Sequence, residues 1–209
     1  MGDLRYPALL AAVIATVVGA AACARSTPEA SFAATLEAAR AAKDDAFRTS
    51  PDSPVPGDKR AQILPLAYFP PDETYVAPAS LSPVGPDEQL TVPMPTSTGA
   101  TRPMRRVGTL KFMLKAQPLK LAAFVEADQP DTNRLFVPFT DLTTGTETYR
   151  AGRYLELDRT ETGIYEIDLN RAFNPYCYYN PTYDCPYPPP ENRLAIAVRA
   201  GERIKALAK

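Results

Sequence analysis

The chain has 209 residues, a formal net charge of −1, 23 prolines and no histidine. Its length suits one domain behind a leader, and the lack of histidine excludes Ser-His-Asp and Cys-His nucleophiles, HExxH zinc hydrolases and most imidazole metal sites. The near-neutral charge, the absence of a basic stretch and the absence of glycine-rich phosphate loops and of a Ser-x-x-Lys signature argue against nucleic acid and nucleotide chemistry.

Residues 1–22 read as a signal peptide. The apolar run from Ala8 to Ala22 is short for a bilayer span, which needs about 20 residues, and has the size of a signal-peptide core. Ala20-Ala21-Ala22-Cys23 has the pattern of a lipobox, with Cys23 the lipidated first residue of the mature chain. The alternative is ordinary cleavage near Ala22, which leaves Cys23 as a free thiol. A lipid on Cys23 predicts an exported, membrane-anchored protein on the periplasmic side. Ala24 in place of Asp favours the outer membrane of a Gram-negative cell.

Residues 23–50 read as a tether and a helix. Thr27 suits the N-cap, Pro28 the first helical position and Glu29 the first turn. Phe32, Leu36, Ala39 and Phe47 form a narrow apolar stripe that docks on the domain. Residues 51–103 are rich in proline and predict extended segments with an edge strand or two, packed on the core.

From residue 104 to 209 the apolar period becomes two. Val107–Lys115, Leu119–Glu126, Arg134–Thr140, Arg153–Asp158, Ile164–Asn170 and Leu194–Arg199 read as strands, with turns at Gln117-Pro118, Asp128–Asn133, Thr143–Gly145 and Thr162-Gly163. The fold class is mainly β: an antiparallel meander forming a small barrel or sandwich, with one N-terminal helix and a long ordered Tyr/Pro-rich loop. Pairing Asp158 with Ile164 puts Leu155, Leu157, Tyr165, Ile167 and Leu169 on one face. The same register sets Glu156 against Glu166, which predicts neutralisation by Lys111, Lys115 or Lys120.

The segment Phe173–Arg193 holds six prolines and five tyrosines around Cys177 and Cys185. It is too proline-rich for helix or strand, so it must be an irregular loop of fixed shape and a candidate working surface. With Cys23 lipidated, Cys177 and Cys185 remain as a pair whose spacing suits a local disulfide worth about 2.5 kcal/mol. A redox pair, or a metal site drawing on Asp184, is the alternative. Arg153 falls on the core face and needs a carboxylate, with Asp141, Glu191 and Glu202 as candidates.

Leu135-Phe-Val-Pro-Phe-Thr-Asp141, Gly152-Arg-Tyr-Leu155, Asn174-Pro175, Asn180-Pro181, Cys185-Pro186, Pro189-Pro-Glu-Asn-Arg-Leu194 and Ala200-Gly-Glu202 follow one another in an order that resembles the bacterial family DUF1684. Many members look longer, with an extra domain after the helix, which makes this chain a short version. The resemblance implies an address and a fold but no reaction.

These readings converge on a non-catalytic envelope lipoprotein that binds a ligand or partner through loop 173–193. The expected ligand class is a saccharide or another envelope component, with no cofactor and no metal. Tyr149, Arg153, Asn174, Tyr178, Tyr179, Glu191 and Asn192 are the expected binding residues. The alternative is a small carboxylate-dependent hydrolase using Asp168 and Glu191 as acid and base, which requires the two carboxyls roughly 5–10 Å apart.

Overall fold

The computed structural model describes residues 1–2, 31–85, 90–130 and 132–205. The stretch read as a signal peptide, beyond Gly2, and Cys23, Thr27 and Pro28 lie outside the described residues. Helix α1 spans Phe32–Thr49, and its N-cap is Ser31, whose hydroxyl accepts from the Ala34 amide at 3.3 Å. Leu36 and Phe47 are buried as the stripe predicts, but Ala39 is not. Arg40 and Lys43 complete the docking face between them, at the spacing that aligns residues on one side of a helix.

The 51–103 stretch contributes more than expected. A short helix, α2 (Arg60–Ile63), forms where only extended chain was read, and two strands follow, β1 (Val76–Pro83) and β2 (Thr91–Pro95). The remaining strands are β3 (Thr101–Leu114), β4 (Gln117–Glu126), β5 (Arg134–Phe139), β6 (Arg153–Asp158) and β7 (Ile164–Asp168). They form one sheet in the order β6-β5-β4-β3-β1-β7, with β2 on β3, nearly closed into a barrel. β3 runs across the 103/104 boundary, and β1 is an interior strand despite Pro78 and Pro83. A proline removes one rung to one neighbour, which the long β1–β3 and β1–β7 ladders absorb.

The hairpin pairing Asp158 with Ile164 does not form. Asp158 pairs with Arg134 on β5 and Ile164 with Ser80 on β1, so β6 and β7 are the two edges of the sheet. Alternation fixes which face a strand buries but not which strand lies beside it. The predicted faces hold: Leu155, Tyr165, Ile167 and Leu169 all enter the main core. Glu156 therefore meets Arg134 at 2.9 Å rather than Glu166, and the expected lysine neutralisation is not used. The five-residue link Arg159–Gly163 joins the two edges, and its limited reach keeps them close.

Two smaller differences have local causes. The β3–β4 turn is Lys115-Ala116, both left-handed (φ 49 and 60), not Gln117-Pro118. Residues 194–199 bury Leu194, Ile196 and Val198 as predicted but form no strand. Side chains take the place of a ladder there. Tyr75 donates to Ala197 O and accepts from Arg199 N, both at 3.2 Å, and Arg153 and Asp141 bind Val198.

The main core lies inside the sheet, with Leu110, Leu121, Val137 and Ile167 fully buried, each contributing about 1.5–3 kcal/mol. Gly108 sits at the β3 bulge, where a Cβ would collide with the Ser82 carbonyl. The bulge turns Met104 outward, against Met94, Ala122 and Phe124 under β2.

Candidate functional site

The Tyr/Pro segment is strapped across the outer face of β4, β5 and β6. Phe173 and Tyr154 exchange backbone hydrogen bonds at 2.9 and 3.0 Å, Tyr187 N–H reaches Pro95 O at 2.8 Å, and Ser97 N–H reaches Cys185 O at 2.9 Å. Between these points lie single turns of 3-10 helix at Tyr176–Tyr178 and Pro190–Asn192. The expected ordered irregular loop is thus present. Edge-to-face ring contacts fill it, including Phe136–Tyr154 at 4.6 Å, Tyr149–Tyr178 at 5.2 Å and Phe47–Tyr179 at 5.5 Å.

Arg153 is fully buried and ties the C-terminal stretch to the sheet. Its guanidinium meets Asp141 at 2.9 Å, donates to Val198 O at 2.8 Å and Glu202 O at 3.1 Å, and binds Ala200 O. Asp141 is the partner among the three candidates. Burial pulls the Arg153 pKa down and Asp141 pushes it back up. Gly152, at φ +86, lets the chain enter β6 against β5: a Cβ there would lie 2.5 Å from Phe139 O.

Asn192 is also a fastener. Its amide accepts from Ala122 N at 2.6 Å and donates to Ala122 O at 2.9 Å and Pro138 O at 2.7 Å. Glu191 is exposed on the far side of that turn, 3.9 Å from Arg106. Asp168 caps the turn after β7, accepting from Asn170 N at 2.9 Å and Arg171 Nε at 3.1 Å. Glu191 borders a cavity of about 230 Å3 whose lining does not include Asp168.

The structure brings Asn174, Tyr178 and Tyr179 together, with Tyr149 stacked behind Tyr178. They wall a cavity of about 400 Å3 between the Tyr/Pro segment, α2 and the chain from Arg203 to Lys205. Lys59, Arg203 and Lys205 also line it, and among the described residues no carboxylate does. Lys205 Nζ rests on the carbonyls of Ile63, Leu64 and Pro65 at 3.3 Å each. The side-chain oxygen of Asn174 is buried without a hydrogen-bond partner.

Glu202, read beforehand only as a partner for Arg153, organises this region. Buried to 1 % exposure, it accepts from Lys43 Nζ at 2.5 Å, from Tyr179 Oη at 2.5 Å and from Asn174 N at 2.9 Å. Burial first, and then Glu202, push the Tyr179 phenol up, so it remains a neutral donor. Helix, Tyr/Pro loop and C-terminal stretch thus meet on one carboxylate. The sequence signal for it was a cation at position 43, on the face the helix shows the domain.

Cys177 and Cys185 are two free, buried thiols, not the expected bridge. Hydrogen bonds hold the pair instead: Cys177 N–H donates to Cys185 Sγ at 3.2 Å and Tyr149 Oη to Cys177 Sγ at 4.0 Å. Donation from Cys185, then from Ser97 and Tyr149, brings the Cys177 thiol down to about 6 against the opposing effect of burial. The Cys185 thiol moves up correspondingly. Asp184 is taken by Thr98 at 2.6 Å and Arg102 at 3.1 Å. Among the described residues no three His, Cys, Asp or Glu side chains converge as a metal set.

An antiparallel, nearly closed barrel strapped by a Tyr/Pro loop and fastened through a buried Arg–Asp pair defines this class of domain. The chain belongs to the DUF1684 family, whose description is "Protein of unknown function", with residues 63–203 matched. The match thus reaches back through β1 and β2, well before Leu135. The chain is similar to the uncharacterized protein from gene locus rrnAC0354 of Haloarcula marismortui, solved by solution NMR. The two are 38% identical, with a TM-score of 0.63, over 81% of this chain and 92% of that one. Little of that relative therefore lies outside the match. No curated protein matches this chain.

Proposed function

We propose that the chain is a non-catalytic binding module of the cell envelope, tethered through a lipid on Cys23, that holds a small anionic saccharide in the cavity under Tyr178. The observation that carries this reading is the grouping of Asn174 and Tyr178 with Lys59 and Arg203 around one cavity. Tyr178 offers a flat amphipathic ring suited to a sugar face. Lys59 and Arg203 offer charge to an acidic group, with no carboxylate in the lining to oppose it. Arg153 and Asn192 are fasteners in this reading, and Glu191 lies elsewhere.

Titration calorimetry with N-acetylmuramate as the probe tests it. Binding is expected, weakened about tenfold in Asn174→Ala and in Tyr178→Ala, the value of roughly one buried hydrogen bond. No heat with this probe, or unchanged affinity in both variants, ends the reading. Export is tested separately by labelled-fatty-acid incorporation, expected in the wild type and absent from Cys23→Ser.

A further inference from the structure

The outer surface of the sheet is covered only in part. The Tyr/Pro segment lies over β4, β5 and β6, while among the described residues the outer rows of β7, β1, β3 and the start of β4 are bare. Opposed residues share a face. Ile164, Ser80, Lys111 and Lys120 therefore form one transverse row, and Met113 and Pro118 pair in the row nearer the β3–β4 turn. Met113 and Ile164 are 56% and 58% exposed. With Pro78, Pro118 and Leu119 they shape a shallow groove of about 730 Å3, and Lys111 and Lys120 also line it. Glu166, opposite Pro78, borders it as the one carboxylate in these rows.

Two like charges set directly opposite destabilise a sheet unless something neutralises them. Among the described residues neither Lys111 nor Lys120 has a salt bridge. The same two lysines line an adjoining cavity of about 230 Å3 with Arg106, whose Nε is buried without a partner. Glu191, 3.9 Å from Arg106 Nη1, is the acid on that side. Lys115, at the turn, is folded back with its Nζ 3.6 Å from the Tyr75 ring centroid and leaves Met113 clear. The face is thus apolar toward the turn and cationic toward Arg106.

We propose that this bare face docks on an anionic phospholipid surface, Met113 and Ile164 entering the interface and Lys111, Lys120 and Arg106 meeting the headgroups. Exposed apolar side chains flanked by lysines, with long stems reaching back to water, match the layering of a bilayer edge. Each lysine near an anionic surface contributes about a fivefold gain in partitioning. The docking does not require the lipid on Cys23 or the saccharide site, so its failure leaves both of those standing.

The chain has no tryptophan, so Met113→Trp supplies a single reporter. The full chain carrying it is reconstituted with vesicles of phosphatidylglycerol and phosphatidylcholine, with brominated acyl chains as quenchers. Emission is expected to shift to the blue and to be quenched, and Lys111→Gln with Lys120→Gln is expected to weaken docking roughly 30-fold. The same reporter at Leu142, exposed in the loop after β5, is expected to stay unquenched although it sits on the same anchored chain. Equal quenching at both positions, or identical emission with phosphatidylcholine alone, overturns the proposal. So does a concentration-dependent blue shift without vesicles, which assigns the face to a second copy of the chain.

Discussion

The two halves of the sheet's outer surface belong to one sheet and are finished in opposite ways. Over β5 and β6 the Tyr/Pro segment covers Tyr154 and packs its own Cys177 and Cys185 against it, and backbone hydrogen bonds pin it at Tyr154, Pro95 and Ser97. Over β7, β1 and β3 none of the described residues lies on the sheet, and paired lysines face outward beside exposed Met113 and Ile164. The difference teaches where sequence freedom is lost. A covered face demands particular residues with particular partners. A bare one asks only that its alternation keep the inner side apolar.

This contrast breaks if the covered side tolerates change. Asp141→Ala removes the charge partner of fully buried Arg153 and is expected to cost about 3–5 kcal/mol in urea unfolding. A loss below about 1 kcal/mol would mean that the three carbonyls alone hold the guanidinium. Asn192→Ala strips three hydrogen bonds between the loop and strands β4 and β5, with an expected cost of ~2–4 kcal/mol.

A smaller effect sharpens the comparison by pH. Cys177, held down to about 6, has lost its proton in the folded chain over a range where the unfolded thiol, near 9.0, retains it. Its stabilisation is complete above the unfolded value and is lost as pH falls toward 6. Cys185, pushed up, acts in the opposite sense at higher pH, so the pair stabilises most near the unfolded thiol range. Thiolate absorbance titrated against pH should show one group rising near 6, and Cys185→Ser should move that midpoint upward. The smallest change belongs to the bare half. Lys120→Glu relieves the repulsion with Lys111 and should leave stability within about 0.5 kcal/mol, or raise it slightly.

The strands were legible from their alternation, and β6 begins and ends where it was read. Strand partners were not, because a short link such as Arg159–Gly163 serves a hairpin and a barrel closure equally well. Arg153 and its need for a carboxylate were legible, since a cation on a core face has few solutions. Glu202 as a hub was not, because its partners Lys43, Asn174 and Tyr179 lie far apart along the chain and converge only through folding. The bare face escaped notice for a related reason: Lys111 and Lys120 read as partners for Glu156 and Glu166 until the register set them opposite each other.

The clasp at Arg153 also bears on the order in which the molecule assembles. Its guanidinium is satisfied largely by carbonyls of Val198, Ala200 and Glu202, all beyond the last strand. While a nascent chain stops short of them, a cation facing the core has Asp141 alone, and the helix has no carboxylate to meet Lys43. The barrel therefore locks only once the chain has reached Glu202, and until then the growing polypeptide stays open to whatever machinery handles unfolded chains.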